Sequence, residues 1–465
     1  MVNPHPNLTT EVIHGLGWAY LALFLMNLVW TLRSFKHGGD VRVWDIFGGQ
    51  VVRRATFWAS YTMLLGMFAV AHFVSTSDPE AFLLVMPDFA KNFIDGFADP
   101  TIFFALSVLL MTAVIYFRET LVKPAVAWFL LNLMLVFTAL SMTDYDFRQI
   151  VGKPDNVPIV SMLFIVAFFT WLYFSRAVEN DRRTKAGLPL FEQEKNDKIL
   201  VWPDLVYTEL ICMIAITVIL VVWGVVLQAP LEEPASAAKT PNPSKAPWYF
   251  LGLQEMLVYY DPWLAGVVFP SVILGGLMAI PYIDFNKLGN GYYTFKDRAF
   301  SVSVFMFGFL PLWVAMIVLG TFLRGPNWNF FGIYEFWDVH KLEVLNNRNL
   351  SQYFWEDLLH RGLPTIADVP QFIETYTPAL ITPLVIIVRE WLGIVLTLFY
   401  LGAAPMLLVL IPKFKEFFFR MGFIRYMVFA NLLLMMLALP LKMVLRWSPL
   451  HLKYIVAIPE WFFNI

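Results

Sequence analysis

Residues 204–227 read DLVYTELICMIAITVILVVWGVVL, an almost unbroken run of apolar side chains. A helix of about 20 such residues crosses the hydrocarbon core of a bilayer, which is about 30 Å thick. Lipid offers no hydrogen-bond partner to an open backbone, so a run of this kind must be helical if it lies in a membrane. The stretch therefore predicts a transmembrane helix.

Similar runs recur along the whole chain. Hydrophobic residues make up 59% of the sequence and charged residues 15%, and the mean hydropathy is +0.64, far above the values of soluble domains. We therefore expect an all-α polytopic transmembrane bundle of about 10 spans. The predicted spans are residues 12–32, 56–76, 100–117, 121–142, 158–176, 204–227, 262–282, 299–322, 391–411 and 423–444.

Charge and cysteine content narrow the functional classes. The formal net charge of -2 gives no support for a nucleic-acid partner, and the only cysteine, Cys212, lies inside an apolar run. The chain thus builds neither a disulfide nor a thiolate metal cluster by itself, and we predict no metal site. Motifs of nucleotide-binding loops, serine hydrolases and zinc proteases are missing from the sequence. The first dozen residues lack the features of a cleaved signal peptide, so we expect the first span to be retained.

Basic residues alternate between the loops and predict the orientation. Loops at 33–54, 118–123, 176–198, 287–298 and 413–425 carry 20 of the 33 Lys and Arg. Because basic loops are retained on the cytoplasmic side, both termini are predicted to face the outer side. The polar stretch 176–198 reads as an inner linker, which divides the chain into a five-span region with its linker (1–199), a second unit (200–325), and an outer segment with two C-terminal spans (326–465).

One loop of the second unit carries an unusual aromatic sequence. Residues 245–255 read KAPWYFLGLQE between two predicted spans. If 248–257 form an interfacial helix, then Trp248, Leu251, Gln254 and Glu255 share one face. Two interpretations are open, because Trp and Tyr also serve as simple anchors at membrane interfaces.

The order of elements around this loop carries a resemblance to a known family. WPDLVYTEL (202–210), a Pro-rich loop, APWYF (246–250) and FPSVILGGLMAIPYID (269–284) follow one another. This order resembles the C-terminal half of cytochrome b, which is a separate subunit IV in some complexes. The resemblance covers residues 198–325 and points to bacterial cytochrome bc-type menaquinol:cytochrome c reductases, with extra transmembrane helices in this chain.

The resemblance implies a quinol oxidation site on the outer side. Family members line this site with a Pro-Glu-Trp-Tyr motif. Here Trp248 and Tyr249 match, whereas Ala246 and Pro247 replace the Pro-Glu pair. A carboxylate beside the quinol acts as base there, so the resemblance favours Glu255 as catalytic base, with Tyr249 beside it and Asp261 as the other carboxylate candidate. The residues implied in quinol binding are Pro247, Trp248, Tyr249, Phe250, Glu255 and Asp261.

The resemblance also implies cofactors, partners and location. It implies menaquinone or another quinone as the redox substrate, and a b-type haem held mainly by a partner chain. The implied partners are a haem-bearing cytochrome b subunit, a Rieske iron–sulfur protein, a c-type cytochrome and lipids, in a dimeric complex of the bacterial inner (cytoplasmic) membrane.

Two histidines of the first half, His14 and His72, are candidate haem ligands. Cytochrome b uses four His on two helices to hold its haems, whereas only His14 and His72 lie in spans of the first half of this chain. Both fall near the outer surface at similar depth, so two antiparallel helices would bring them together as axial ligands of one haem. The alternative is that each is an interfacial polar residue bonded to backbone or water.

A second functional class remains beside the reductase. The missing Pro-Glu is compatible with a structural membrane anchor of a respiratory complex that has no quinol turnover of its own. A transporter is disfavoured because few ionisable residues lie in or beside the spans, namely Glu209, Arg389, Glu390 and Lys442.

Overall fold

The protein is an all-α, polytopic bundle of membrane-spanning helices, which confirms the predicted fold class. The computed structural model describes residues 8–36, 54–75, 84–194, 197–227, 234, 237, 245–289, 291–343, 346–368, 378–461 and 463–465. Within these residues, nine helices are long and apolar enough to cross a membrane. A bent pair at 88–116 brings the number to ten if it counts as one span.

The helices follow one another along the chain with short connections. In order they are α1 (Thr10–Lys36), α2 (Arg54–Val74), α3 (Asp88–Asp95), α4 (Pro100–Tyr116), α5 (Arg118–Leu121), α6 (Pro124–Ser141), α7 (Tyr145–Val151), α8 (Val157–Lys185), α9 (Phe191–Glu194), α10 (Val206–Val226), α11 (Leu251–Met256), α12 (Phe269–Ile283), α13 (Ala299–Phe309), α14 (Ala315–Val318), α15 (Leu350–Gln352), α16 (Pro378–Leu398), α17 (Ala404–Leu408), α18 (Pro412–Met421) and α19 (Phe423–Trp447). Wider π-helical turns extend several of them, at Val201–Leu205, Leu264–Val268, Leu310–Val314, Leu319–Leu323, Tyr353–Leu358 and Phe399–Ala403. Single 3-10 turns lie at Trp248–Phe250, Lys296–Arg298, Pro326–Trp328, Ile366–Asp368 and Pro459–Trp461. Two short antiparallel strands, β1 (Ala457–Ile458) and β2 (Phe463–Asn464), pair near the C-terminus.

Local sequence signals explain where several helices begin. Asp99 caps α4 by accepting hydrogen bonds from the backbone N–H groups of Thr101 and Ile102, at 2.9 and 3.1 Å. Proline at the first position of α4 and of α6 gives up no hydrogen bond there. Gly422 separates α18 from α19 with a φ of 75°, a left-handed conformation that glycine adopts without steric cost. α3 meets α4 at 89°, a bend that the hydropathy pattern did not predict.

The ninth predicted span needs a correction at its start. The sequence placed this span at 391–411, just after Arg389 and Glu390, whereas α16 begins at Pro378 and runs through both charges. Arg389 pairs with Glu390 at 3.1 Å and with Glu460 at 2.7 Å. Glu390 also accepts the N–H of Ala457 at 3.0 Å. These contacts compensate the charges of Arg389 and Glu390, so the helix continues through both residues. The apolar run alone had suggested that the helix begins after them.

The first three long spans form one packed group. α1 and α2 are antiparallel, since Thr31 hydrogen-bonds Thr62 at one end while His14 packs on Phe73 at the other. α6 joins them through Asn132, whose Oδ1 accepts a hydrogen bond from Asn27 Nδ2 at 2.5 Å. Such interhelical hydrogen bonds help hold helices together in a medium that has no hydrophobic driving force.

The hydrophobic cores cross the boundaries suggested by the sequence. One cluster joins Phe147 and Ile159 of the first region to Leu251 and Ile317 of the second. Another joins Tyr259 and Met316 of the second unit to residues of α19, Leu439 and Met443. The division into 1–199, 200–325 and 326–465 remains a prediction about organisation, but packing makes the three parts contiguous.

α10 is the exception to this packing. None of its residues is buried, and its side chains are exposed on every face of the helix. The apolar surface of α10 is therefore left uncovered by the other described parts of the chain.

Candidate functional site

The aromatic loop folds back on the short helix that follows it. Phe250 donates its backbone N–H to the carbonyl of Pro247 at 2.8 Å, and Ala246 donates its N–H to Gln254 Oε1 at 2.9 Å. Trp248–Phe250 forms a 3-10 turn that continues directly into α11. Of the helix expected over 248–257, the part Leu251–Met256 is α-helical and Trp248–Phe250 is a 3-10 turn.

The two faces of this segment differ sharply. Leu251 and Glu255 lie on the same buried face, as the helical spacing predicted, and Glu255 is 0% exposed. Tyr249 and Phe250 are 49% and 51% exposed on the other side. The side chain of Trp248 lies outside the described residues. The structure therefore separates the predicted aromatic wall from the predicted base.

Glu255 is held by an arginine from the far end of the second unit. Arg324 donates from Nη2 to Glu255 Oε1 at 2.7 Å and from Nε to Oε2 at 3.1 Å. Tyr259 donates its hydroxyl to the same Oε1 at 3.3 Å. This two-pronged geometry is the strongest form of carboxylate–guanidinium contact, and burial of both groups makes the loss of either one costly.

The loop after α14 shapes the surroundings of Arg324. Its Nη1 donates to the carbonyl of Trp328 at 2.7 Å, and its guanidinium lies 3.6 Å from the ring centroid of Phe330. Asn327 and Trp328 adopt left-handed φ values of 57° and 60°, which turn the chain back. A side chain at Gly325 would approach Phe331 to 2.6 Å, so glycine is needed there. Sequence reasoning missed Arg324, although an arginine directly after an apolar run was a visible signal.

Lys245 is a second titratable group beside this pair that the sequence did not single out. Its Nζ donates to the carbonyl of Thr321 and lies 5.1 Å from the ring centroid of Trp337. Burial lowers the pKa of the Lys245 ammonium to about 7, with Glu255 and Arg324 among its charged neighbours. Thr321 Oγ1 and Trp337 Nε1 are buried and have no hydrogen-bond partner among the described residues. Lys245 is thus able to exchange a proton near neutral pH.

Asp261 is held by other elements. Its Oδ2 accepts from Asn464 Nδ2 at 2.7 Å and its Oδ1 accepts the N–H of Trp263 at 3.2 Å. These contacts tie the start of the next span to β2. The hydrogen bonds of Asp261 therefore do not join it to the Glu255–Arg324 pair.

The two candidate haem ligands lie on neighbouring helices but in different surroundings. His14 is exposed and packs against Phe73 and Trp18, with ring centroids at 5.2 and 6.1 Å. His72 is buried, bonds to the carbonyl of Phe68 through Nδ1 at 2.7 Å, and lies 4.7 Å from the ring of Tyr20. Haem ligation by His14 and His72 remains a prediction.

In the part of the chain that the structure describes, no three His, Cys, Asp or Glu side chains lie close enough together to hold a metal ion. Comparison with known protein families gave no matching family, and no solved structure matches the chain. The likeness to cytochrome b therefore rests on the quoted sequence elements.

Proposed function

We propose that this chain is a membrane subunit of a quinol:cytochrome c oxidoreductase and forms part of its outer-side quinol oxidation site. The observation that carries the proposal is the arrangement of segment 245–261. Exposed aromatic rings, Tyr249 and Phe250, lie on one side of a short helix. Titratable groups, Glu255 and Lys245, lie on the other side.

This arrangement suits the oxidation of a quinol. The reaction releases two protons, so it needs an apolar surface for the ring and a nearby group that accepts a proton. Pro247, Trp248, Tyr249 and Phe250 provide that surface in the proposal, and Glu255 accepts a proton while Arg324 holds its carboxylate in place. Access to Glu255 then requires α11 to move, because the carboxylate is completely buried.

The isolation of α10 supports partner subunits. Glu209 lies on this exposed apolar helix, and no ion pair joins it to another described residue. A charge facing lipid is costly, so a neighbouring transmembrane chain is expected to cover it. We assign this place to a haem-bearing cytochrome b subunit, with a Rieske protein and a c-type cytochrome as electron acceptors.

The remaining features of the proposal follow from the resemblance to cytochrome bc-type complexes and from the distribution of basic residues. The electron donor is menaquinol, b-type haem is held mainly by the partner, and the complex is dimeric. It lies in the bacterial inner membrane with both termini of this chain on the outer side.

The alternative function is a structural membrane anchor without quinol turnover. The specific observation in its favour is the closed Glu255–Arg324 pair, which has the form of a buried structural ion pair. The replacement of the family's Pro-Glu by Ala246 and Pro247 points the same way.

The first test is isolation of the native complex through a tag on this chain in mild detergent. We expect a b-type haem spectrum and inhibitor-sensitive quinol:cytochrome c reductase activity. Glu255→Gln is expected to lower turnover at least tenfold while haem content stays constant, and Glu343→Gln, an exposed outer carboxylate, is the matched control. An intact complex with haem whose activity ignores Glu255→Gln supports the anchor, and an intact complex without haem or activity refutes the reductase.

The partner assignment has its own test. Glu209→Leu is expected to reduce the haem chain that co-purifies, because it removes the charge that the partner covers. Thr217→Val on the same helix, whose hydroxyl donates to the carbonyl of Met213 at 2.7 Å, is the control. Unchanged recovery of haem with Glu209→Leu contradicts the assignment.

A further inference from the structure

Basic side chains gather at the C-terminal end of α19, beside the turn that carries Tyr259 and Tyr260. Lys442 is 3% exposed, and its Nζ donates to the backbone carbonyl of Lys453. Arg446, one turn further along, donates from Nη1 to Asn347 Oδ1. Lys453 holds its own Nζ 4.8 Å from the ring centroid of Tyr454. Lys442 and Arg446 of α19 and Lys453 beyond its end form the basic cluster.

No carboxylate compensates this cluster within the described residues. The charged neighbours of Lys442 are Arg446 and Lys453, which are both cations. The nearby Arg324 is already paired with Glu255, and Glu390 and Glu460 are taken by Arg389. Buried charge without a counter-charge is strongly unfavourable, so the cluster calls for an anion.

A buried tyrosine packs beside Lys442. Tyr260 is 4% exposed, and its phenolic oxygen has no hydrogen-bond partner among the described residues. Its ring lies 5.5 Å from Lys442 Nζ. Buried hydroxyl groups are almost always bonded. Lys442 and Arg446 each make one side-chain hydrogen bond and keep further N–H donors at this end of α19.

The position of the cluster selects the type of anion. α19 ends at Trp447, and Pro449 and Leu450 beyond it are exposed. Lys442 and Arg446 lie in the last two turns of a membrane-spanning helix, at the level where lipid headgroups meet the hydrocarbon. Phosphate is the prevailing anion at that depth, and basic pockets between transmembrane helices bind phosphate headgroups.

We propose that Lys442, Arg446 and Lys453 bind the phosphate group of an anionic phospholipid. The lipid neutralises the basic cluster and links α19 to Lys453 beyond its end. This site does not depend on quinol oxidation, since none of its residues belongs to the aromatic loop.

The test uses the native complex purified in mild detergent. Bound anionic phospholipid per chain is measured by mass spectrometry for the natural protein, Lys442→Met and Arg446→Gln. We expect at least a threefold loss in both variants. Arg361→Gln, an exposed outer arginine, is the matched control and is expected to retain the lipid.

A second measurement keeps the test informative if a variant folds poorly. The Tm of the delipidated natural complex is recorded with added phosphatidylglycerol, phosphatidylcholine or inorganic phosphate. A rise of several degrees with phosphatidylglycerol alone supports the lipid site, whereas an equal rise with inorganic phosphate assigns the same phosphate site to a free anion. Absence of any rise, or lipid retention that ignores both substitutions, overturns the proposal; a partner carboxylate is then the counter-charge.

Discussion

Two spans of nearly equal apolar character have opposite places in this molecule. The helix at Val201–Val226 has a mean hydropathy of 2.6 and that at Lys296–Leu323 one of 2.4, yet the buried share of their most apolar stretches is 0% and 39%. The second span packs between α4, α11 and α19, whereas α10 stands outside the bundle. Hydropathy therefore identifies a span, but only its neighbours decide whether it belongs to the core or to an outer surface.

A charged residue in each region gives the largest expected contrast. Arg324→Leu leaves Glu255 buried without its counter-charge, so we expect a loss of about 3–5 kcal/mol in the free energy of unfolding. Glu209→Leu on α10 is expected to leave the stability of the isolated chain within about 0.5 kcal/mol. Denaturant titration of the purified chain in detergent measures both.

A double variant shows whether a stranded charge or lost packing destabilises Arg324→Leu. Glu255→Leu combined with Arg324→Leu removes both charges and is expected to recover most of the loss. If the double variant is as unstable as Arg324→Leu, the lost packing of Arg324 on Phe330, and not a stranded charge, explains the effect.

Matched isoleucines sharpen the same comparison. Ile317 is completely buried in the span at Lys296–Leu323, whereas Ile214 on α10 is exposed. Ile317→Ala is expected to cost about 2–4 kcal/mol, because a cavity is left in the core. Ile214→Ala is expected to cost less than about 0.5 kcal/mol in the isolated chain. Equal losses in the same titration would show that α10 is packed against the bundle in detergent.

Lys245 predicts a pH dependence of the buried region. Its pKa is about 7 in the folded chain and about 10.5 when unfolded. The unfolded state therefore binds more protons between these values, and stability rises with pH across them. The penalty is complete below pH 7 and, at about 1.4 kcal/mol per pKa unit, is at most about 5 kcal/mol. Unfolding of Lys245→Met between pH 6 and 10 is expected to lose this slope, while Lys198→Met, an exposed control, keeps it.

The smallest expected effect concerns the polar contacts of the first three spans. Asn27→Leu removes the bond to Asn132 and is expected to cost about 1 kcal/mol, the usual scale of interhelical hydrogen bonds in membranes. Thr217→Val on α10 removes only a bond within its own helix and is expected to cost close to zero. Equal thermal shifts for the two variants would contradict a stabilising role for the Asn27–Asn132 contact.

Parts of the candidate site were readable from the sequence. The helix after the aromatic loop and the shared face of Leu251 and Glu255 follow from the period of 3.6 residues, which is a local property. The opposite exposure of Tyr249 was not predicted, because burial depends on the elements that pack against α11. The closed pair with Arg324 was not predicted either, since its partner lies 69 positions further along the chain.

The sequence by itself determined the approximate number and place of the spans, because lipid forces every long apolar run into a helix whatever its neighbours are. It did not determine that α16 continues through Arg389 and Glu390, where Glu460 and the N–H of Ala457 from the distant C-terminal segment compensate the charges. Nor did the sequence show that α10 is exposed while the span at Lys296–Leu323 packs inside the bundle. Those outcomes belong to the tertiary structure alone, because ion pairing and burial depend on which distant residues meet in space.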